Sequence, residues 1–138
     1  MNGNNGKILL INPGHEGKLA IRHSVPHKIH RDIPPVSILV LGSYLKKHGF
    51  DIILLDTHID QNYKNTIRTI LSKENIILVG ITALIGKFIT NAQEITAYVK
   101  SISKKTPVVW GGALTSTLPE ACLKEGKADY IVFLKSVR

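Results

Sequence analysis

The chain of 138 residues has very little of what builds disulfides, metal clusters and membrane spans. Its single cysteine, Cys122, can form no internal disulfide and cannot alone supply the several thiolates that an iron–sulfur cluster needs. No apolar run approaches the roughly 20 residues that cross a bilayer, and the polar N-terminus lacks the apolar segment of a secretory signal. The sequence therefore predicts a cytoplasmic protein that does not enter a membrane.

Aromatic residues are also few, at 6% of the chain, although the formal net charge is +8. A charge of this size suits nucleic-acid partners, but most lysines and arginines are spread over predicted helix ends and loops. Only residues 14–31 concentrate basic side chains, together with four histidines, and this segment lacks the Phe, Trp and Tyr side chains that stack on bases. The distribution argues against nucleic-acid binding and favours a solvated basic surface.

Short β-branched runs alternate with segments of helical periodicity, which is typical of βαβ units around a parallel sheet. The predicted strands are residues 7–12, 51–55, 76–81, 107–110 and 129–133. The predicted helices are residues 34–48, 62–73, 88–103 and 118–124, with Gly126 as the cap of the last one. We therefore expect residues 1–138 to form one α/β domain, a Rossmann-like or flavodoxin-like three-layer sandwich with a five-stranded parallel sheet of order 2-1-3-4-5.

The ends of the chain and its first loop depart from a regular domain of this kind. No helix follows the predicted fifth strand, although a doubly wound domain normally has one there, so the last helix is expected to be missing. The exposed fifth strand and the first helix, which is apolar nearly all round, then offer routes for self-association. The long connection at residues 13–33 is expected to be functional, and the first six residues are expected to be disordered.

In open parallel sheets, ligands bind beyond the carboxyl ends of the strands, where the strand order reverses. The candidate binding residues in the three loops at that point are Asn12, Pro13, Gly14, Thr82, Ala83, Leu84, Ile85, Gly111, Gly112 and Ala113. The paired glycines let a ligand approach the backbone, although they would equally serve tight turns alone. No G-x-G-x-x-G, phosphate loop, paired carboxylates, activated nucleophile or dense set of metal ligands is present, so no catalytic residue or metal ligand is predicted.

These segments, taken in order, resemble the cobalamin-binding domain at the N-terminus of cobalamin-dependent radical-SAM proteins, including the anaerobic magnesium-protoporphyrin IX monomethyl ester cyclase type. The first strand runs into Asn12 and Pro13, Thr82 and Leu84 stand where such domains often have Ser-x-Leu, and a Gly-Gly turn follows the fourth strand. The resemblance implies a corrinoid held at the carboxyl edge of the sheet. It places Thr82 and Leu84 along the nucleotide tail, the two glycines where the tail needs room, and residues 12–14 near the lower face of the corrin.

Two departures from the resemblance limit what this chain would do. A D-x-H-x-x-G after the first strand, whose histidine ligates cobalt in many cobalamin domains, is absent here, as it generally is in the radical-SAM branch. The D-x-H spacing occurs only at Asp56 and His58, after the second strand, and Gln61 replaces the glycine. The C-x-x-x-C-x-x-C that binds S-adenosylmethionine through a [4Fe-4S] cluster is also missing, so neither group is expected to bind this chain.

The resemblance therefore implies one part of a cobalamin-dependent oxidoreductase (cyclase) or methyltransferase, not catalytic alone, whose partner is a radical-SAM domain absent from the chain. Two alternatives stay open. One is a Rossmann-like interaction or regulatory module that has lost its ligand. The other is metal binding by the histidine-rich segment, where His23, His27 and His30 have a helix-like spacing.

Overall fold

Five parallel strands form a single sheet in the computed structural model, which describes residues 6–14 and 34–133. The strands are β1 (Lys7–Asn12), β2 (Asp51–Asp56), β3 (Ile76–Thr82), β4 (Val108–Gly111) and β5 (Tyr130–Ile131). Their order is 2-1-3-4-5 and every neighbouring pair is parallel, so the predicted fold class and strand order are confirmed. The order reverses between β1 and β3, which makes that edge the expected position of a ligand.

Helices lie on both faces of the sheet, but they are divided unequally. Helix α1 (Val36–Lys47) lies over β1 and β2. Gly49, two residues after the helix, has a φ of 90°, a left-handed conformation that favours glycine and terminates helices. The opposite face carries α2 (Tyr63–Lys73), α3 (Lys87–Ile102) and α5 (Pro119–Gly126), while the short α4 (Ala113–Thr117) follows β4. No helix within the described ranges is long and apolar enough to cross a membrane.

The main core lies between the sheet and helices α2, α3 and α5, and we call this side the closed face. Because side chains alternate along a strand, every second residue of β1, β3 and β4 points there. The helical period of α3 places Ala92, Ile95 and Val99 on the side facing the sheet, where all three are fully buried. On the opposite side, which we call the open face, the described residues form a small cluster of three buried apolar side chains, from Ile8, Leu10 and Ile38.

The predicted fourth helix at residues 118–124 is confirmed within two residues as α5, but the short helix α4 that precedes it was not predicted. The sequence A-L-T-S-T of α4 has no apolar period that would reveal a helix. Its conformation depends instead on tertiary hydrogen bonds: the Leu114 amide donates to the Ala83 carbonyl at 3.1 Å, and the Thr115 hydroxyl contacts the Val132 carbonyl at 2.7 Å.

Two further corrections concern the end of the fold. Gly126 is the last residue of α5 and not its cap, because the left-handed position belongs to Lys127 with a φ of 56°. Gly126 is required for another reason: a Cβ there would lie 2.7–2.8 Å from the Trp110 ring. Strand β5 is also shorter than the predicted residues 129–133, although the Asp129 and Val132 amides still donate to β4 carbonyls on either side of it.

Some predictions fall outside the described residues. These are the disorder of residues 1–5, most of the long connection with its basic and histidine-rich segment at residues 15–33, and the chain after residue 133. Within the described residues, no helix follows β5. Gly6, the last of the six residues predicted to be disordered, is partly buried, and a Cβ on it would meet the side chain of Ile77.

Candidate cofactor-binding site

Three loops leave the carboxyl edge of the sheet side by side, and they contain all ten candidate binding residues. Asn12, Pro13 and Gly14 continue β1, residues 82–85 end β3 and lead toward α3, and residues 111–113 join β4 to α4. Since β1, β3 and β4 are neighbours in the sheet and run parallel, these loops meet at one edge. The structure thus brings the candidate segments together as the topology predicted.

The β3 and β4 loops are tied to each other through backbone hydrogen bonds. Thr82 and Gly111 are paired in register, and the Ala83 amide donates to the Gly111 carbonyl at 2.6 Å. Both Thr82 and Ala83 are buried, whereas Leu84 is partly exposed and Ile85 is 67% exposed at the start of the turn into α3. The apolar surface that these loops present to a ligand therefore comes from Leu84 and Ile85.

The two adjacent glycines of the β4 loop have different physical roles. Gly112 has a φ of 113°, and a Cβ on it would lie 2.9 Å from the Ala83 carbonyl oxygen, so the turn itself requires glycine. Gly111 has no such backbone requirement, and a Cβ on it would meet no atom within 4 Å. Space for a ligand is therefore found at Gly111, which also lies partly exposed beside Ala113, the exposed first residue of α4.

Gly111 belongs to a band of small or partly exposed residues on the open face, which we call the open strip: Gly80, Val109 and Gly111. Gly80 faces Leu10, because a Cβ on Gly80 would lie 2.7 Å from a methyl carbon of that side chain. Gly111 and Val109 share this face by strand alternation. Beyond them, Tyr130 pairs with Val109 and is 62% exposed. The strip is therefore flat and accessible at the carboxyl end of β3 and β4.

The β1 loop is fixed from beneath by a buried amide. The Asn91 side chain on α3 donates to the Pro13 carbonyl at 3.0 Å, and the Pro13 side chain is fully buried. The Asn12 side chain donates to Asp56 Oδ1 at 3.0 Å, so it is engaged with the end of β2. Pro13 therefore supports the shape of the loop, and Gly14, also buried, packs against His58.

Sequence reasoning did not assign a role to the residues that hold this edge together. Asn91 occurs among the apolar positions of α3, and a lone amide on an otherwise apolar stripe is the signal that would have identified it. At the end of β2, the Thr57 amide and hydroxyl both donate to the Asn12 carbonyl, at 3.1 and 3.0 Å. Asp56 and Thr57 thus join the β2 turn to the β1 loop.

The side chains at this edge determine which kinds of ligand it could hold. Residues 6–14 and 34–133 contain no group of three or more His, Cys, Asp or Glu side chains that could hold a metal ion. Among the described residues, the edge offers glycine backbone, hydroxyl groups, a few apolar side chains and one imidazole, that of His58. Such a surface suits a large ligand with a flat, partly apolar portion, as the space at Gly111 also indicates.

Comparisons with known proteins agree with this geometry. A cobalamin-binding protein from Desulfitobacterium hafniense DCB-2 has a similar structure, with a TM-score of 0.61 and 15% identity. RcsB from Salmonella enterica serovar Typhimurium, solved bound to the promoter rprA, has a TM-score of 0.50 and 10% identity. The matches cover 92% and 97% of this chain but 52% and 63% of those chains, and at such identities they show the fold alone.

No curated protein sequence matches the chain. The model of the B12 binding domain family, in contrast, matches residues 23–136, which is most of the 138 residues. That match includes β2 to β5, both glycines of the β4 loop and the end of β3. The match supports cobalamin as the cofactor of this domain. Because it covers most of the chain, the chain belongs to the B12-binding domain family.

Proposed function

We propose that this chain binds cobalamin at the carboxyl edge of its sheet and serves as the corrinoid-binding part of a radical-SAM enzyme. The observation that carries the binding site is Gly111, because its side faces open space and its backbone does not require glycine. Because neither a neighbouring atom nor the backbone conformation requires glycine there, the free space beside Gly111 is available to a ligand. In this proposal the nucleotide tail lies along the open strip.

The residues of the chain would bind and orient the cofactor, which when bound supplies organometallic cobalt chemistry. Gly111 would leave the backbone at the end of β4 accessible to the tail, whereas Gly80 is needed by the packing of Leu10. Thr82, at the buried end of the strip, would border the tail, and Leu84 and Ile85 would cover an apolar edge of the corrin. The β1 loop, held by Asn91, would form the floor next to them.

Binding is tested by mixing the chain with hydroxocobalamin and measuring the corrinoid absorbance that elutes with the protein in gel filtration. The decisive variant is Gly111→Leu, which places a side chain on the open strip and should lower the affinity at least tenfold. Ala97→Leu is the matched control, because it adds a leucine at an exposed position of α3 on the other side of the sheet. Equal affinity of both variants would contradict the proposed site, and no co-elution with the unmodified chain would contradict the function.

The radical-SAM setting is supported by the ordered sequence resemblance and by surfaces suited to a second domain. On α1, Val36, Val40 and Tyr44 are all exposed, with Val40 at 62%. In the last strand Tyr130 is exposed on the open face, and Val132, which follows the strand, is exposed as well. We propose that these surfaces contact the radical-SAM domain or a second copy of the chain.

This setting has a direct test in the gene. We expect a C-x-x-x-C-x-x-C segment to be encoded either in the same reading frame, after residue 138, or in a neighbouring gene. If no such segment is found, the alternative of an interaction module is favoured. The same alternative is favoured if the chain self-associates through its exposed apolar surfaces but binds no corrinoid. Sedimentation velocity of the purified chain separates the two partners, since self-association through α1 or β5 would depend on the chain concentration.

A further inference from the structure

The imidazole of His58 is held in a defined position at the carboxyl edge of the sheet. Asp56 and Asn12 are in register at the ends of β2 and β1, and Asp56 Oδ1 accepts hydrogen bonds from the Asn12 side chain and from the His58 amide, both at 3.0 Å. The His58 ring packs against Gly14, where a Cβ would lie 2.9 Å from the His58 Cβ. The turn that carries this histidine is therefore fixed to the β1 loop and not free in solvent.

The hydrogen bond of the ring determines which nitrogen carries the proton. His58 Nδ1 is in hydrogen-bond contact with the carbonyl oxygen of Gly14. A carbonyl oxygen only accepts, so Nδ1 donates, and the neutral imidazole then has its lone pair on Nε2. This is the arrangement found in most metal-ligating histidines, whose second ring nitrogen donates to a carbonyl or carboxylate that orients the ring.

A single imidazole suits a metal that is already held by a macrocycle better than it suits a bare metal ion. A bare ion such as zinc requires about four protein ligands, and the described part of the chain has no group of even three candidate side chains. A metal whose equatorial positions are filled by a macrocycle requires only one protein donor. Within the described residues, the surroundings of His58 suit a metal held by a macrocycle better than a bare divalent ion.

We propose that His58 Nε2 is an axial ligand of the corrinoid cobalt, a ligand that comes from the end of β2 and not from the loop after β1. The inference rests on the proposed cobalamin binding. In the ligation step the Nε2 lone pair would form one cobalt–nitrogen bond, and the bond from cobalt to the nucleotide base would break, so that the base leaves with its own lone pair and moves away with the tail. No electron is transferred, and Nδ1 keeps its proton on the Gly14 carbonyl. Asp56 and Gly14 are positioning residues in this arrangement.

Electron paramagnetic resonance of the cob(II)alamin complex tests the ligand directly, because the nitrogen bound to cobalt splits the spectrum. We expect triplet splitting with the unlabelled chain and doublet splitting when the chain is labelled with ¹⁵N and the cobalamin is not. Triplets in both samples would mean that the nucleotide base of cobalamin remains the ligand, and unsplit lines would mean no nitrogen ligand. Either result overturns the proposal.

Two variants identify the histidine. His58→Gln should still retain corrinoid in gel filtration but lose the doublet, whereas His48→Gln should keep it. His48 is a matched control, since its Nδ1 also lies 2.8 Å from a carbonyl oxygen, that of Tyr44, but at the amino edge of the sheet. A doublet that persists in His58→Gln would assign the ligand to another histidine and overturn the proposal. Failure of the unmodified chain to retain any corrinoid would instead contradict the proposed function.

Discussion

The closed and open faces of one sheet show how this domain divides its tasks. On the closed face, large side chains pack together: Trp110, Ile95 and Leu9 are almost completely buried, and the indole nitrogen donates to Thr96 Oγ1 at 2.8 Å. On the open face, the same strands carry Gly80 and Gly111, and α1 covers only β1 and β2. Most of the burial that stabilises the fold is therefore on one side, while the accessible backbone is on the other.

Glycine has opposite meanings on the two faces. Gly126 is on the closed face, where the Trp110 ring occupies the space that a side chain would need. Gly111 is on the open face, where no atom of the described chain lies within 4 Å of the position that a Cβ would take. The comparison teaches that a glycine indicates a binding site only when neither a neighbouring side chain nor a positive φ accounts for it.

The largest expected effect comes from removing the centre of the closed face. Trp110→Ala should lower the free energy of unfolding by about 3–5 kcal/mol, because it leaves a cavity and removes the hydrogen bond to Thr96. Val109→Ala, one residue away on the open face, should cost only about 1 kcal/mol. Urea denaturation measures both losses. It is followed by circular dichroism and not by fluorescence, because Trp110 is the only tryptophan and is absent from the first variant. Equal losses would show that the faces do not differ.

Adding a methyl group should also lower the free energy of unfolding on the closed face but not on the open face. Gly126→Ala should destabilise the domain by about 1–3 kcal/mol, because its methyl group would displace the rigid Trp110 ring. Urea denaturation followed by tryptophan fluorescence measures this loss, and the emission of Trp110 should change with its surroundings. A stability gain of about 1 kcal/mol, as expected for alanine over glycine in an unobstructed helix, would mean that the ring moves aside freely.

Adjacent glycines sharpen the comparison at the binding edge. Gly112→Ala should cost about 1–3 kcal/mol, because its φ of 113° is strained for alanine and its Cβ would crowd the Ala83 carbonyl. Gly111→Ala should leave stability unchanged or raise it by roughly 0.5 kcal/mol, since glycine in a strand is more flexible when unfolded. Thermal melts of the two variants test this. A similar loss in both would mean that Gly111 has a structural role and would weaken the site assignment.

The smallest effect on stability is expected for Asp129, which lies at the amino edge of the sheet beside β4 and is part of neither the closed nor the open face. Burial alone would raise the pKa of Asp129, but hydrogen bonds from Lys100 and from the Val108 amide outweigh it and hold the pKa below its usual value. A carboxyl group with a lowered folded-state pKa stabilises the fold above the unfolded-state pKa and loses this contribution as the pH falls through the folded-state pKa.

Asp129→Asn should therefore cost less than about 1 kcal/mol at pH 7, because the carboxylate is partly exposed and screened by solvent. The difference between the variant and the unmodified chain should shrink below about pH 4, because the unfolded chain then takes up a proton at Asp129 more readily than the folded chain, whose Asp129 pKa is lowered. Urea midpoints measured at pH 7 and pH 3 check both statements. A loss that persists unchanged at pH 3 would show that the ion pair with Lys100 is not its cause.

Much of the fold followed from local patterns along the chain. The alternation of β-branched runs with helical periods predicted five parallel strands in the order 2-1-3-4-5, and the strand and helix bounds of the first three βα units differ from the structure by one or two residues. These patterns are reliable because burial on one or both sides of a strand, or along one stripe of a helix, determines which residues are apolar. The carboxyl edge as the binding position follows from the same topology.

What the sequence could not determine depends on contacts between segments far apart in the chain. Helix α4, with no apolar period, is held by hydrogen bonds to Ala83 and Val132. Gly126 is needed because the Trp110 ring lies beside it, while the left-handed cap of α5 is at Lys127. The sequence determined the sheet, its order and the loops at its carboxyl edge, because these depend on local periodicity. Only the tertiary structure separated Gly111 from Gly112 and brought His58 to the β1 loop, since open space and hydrogen-bond partners exist only after distant segments have packed together.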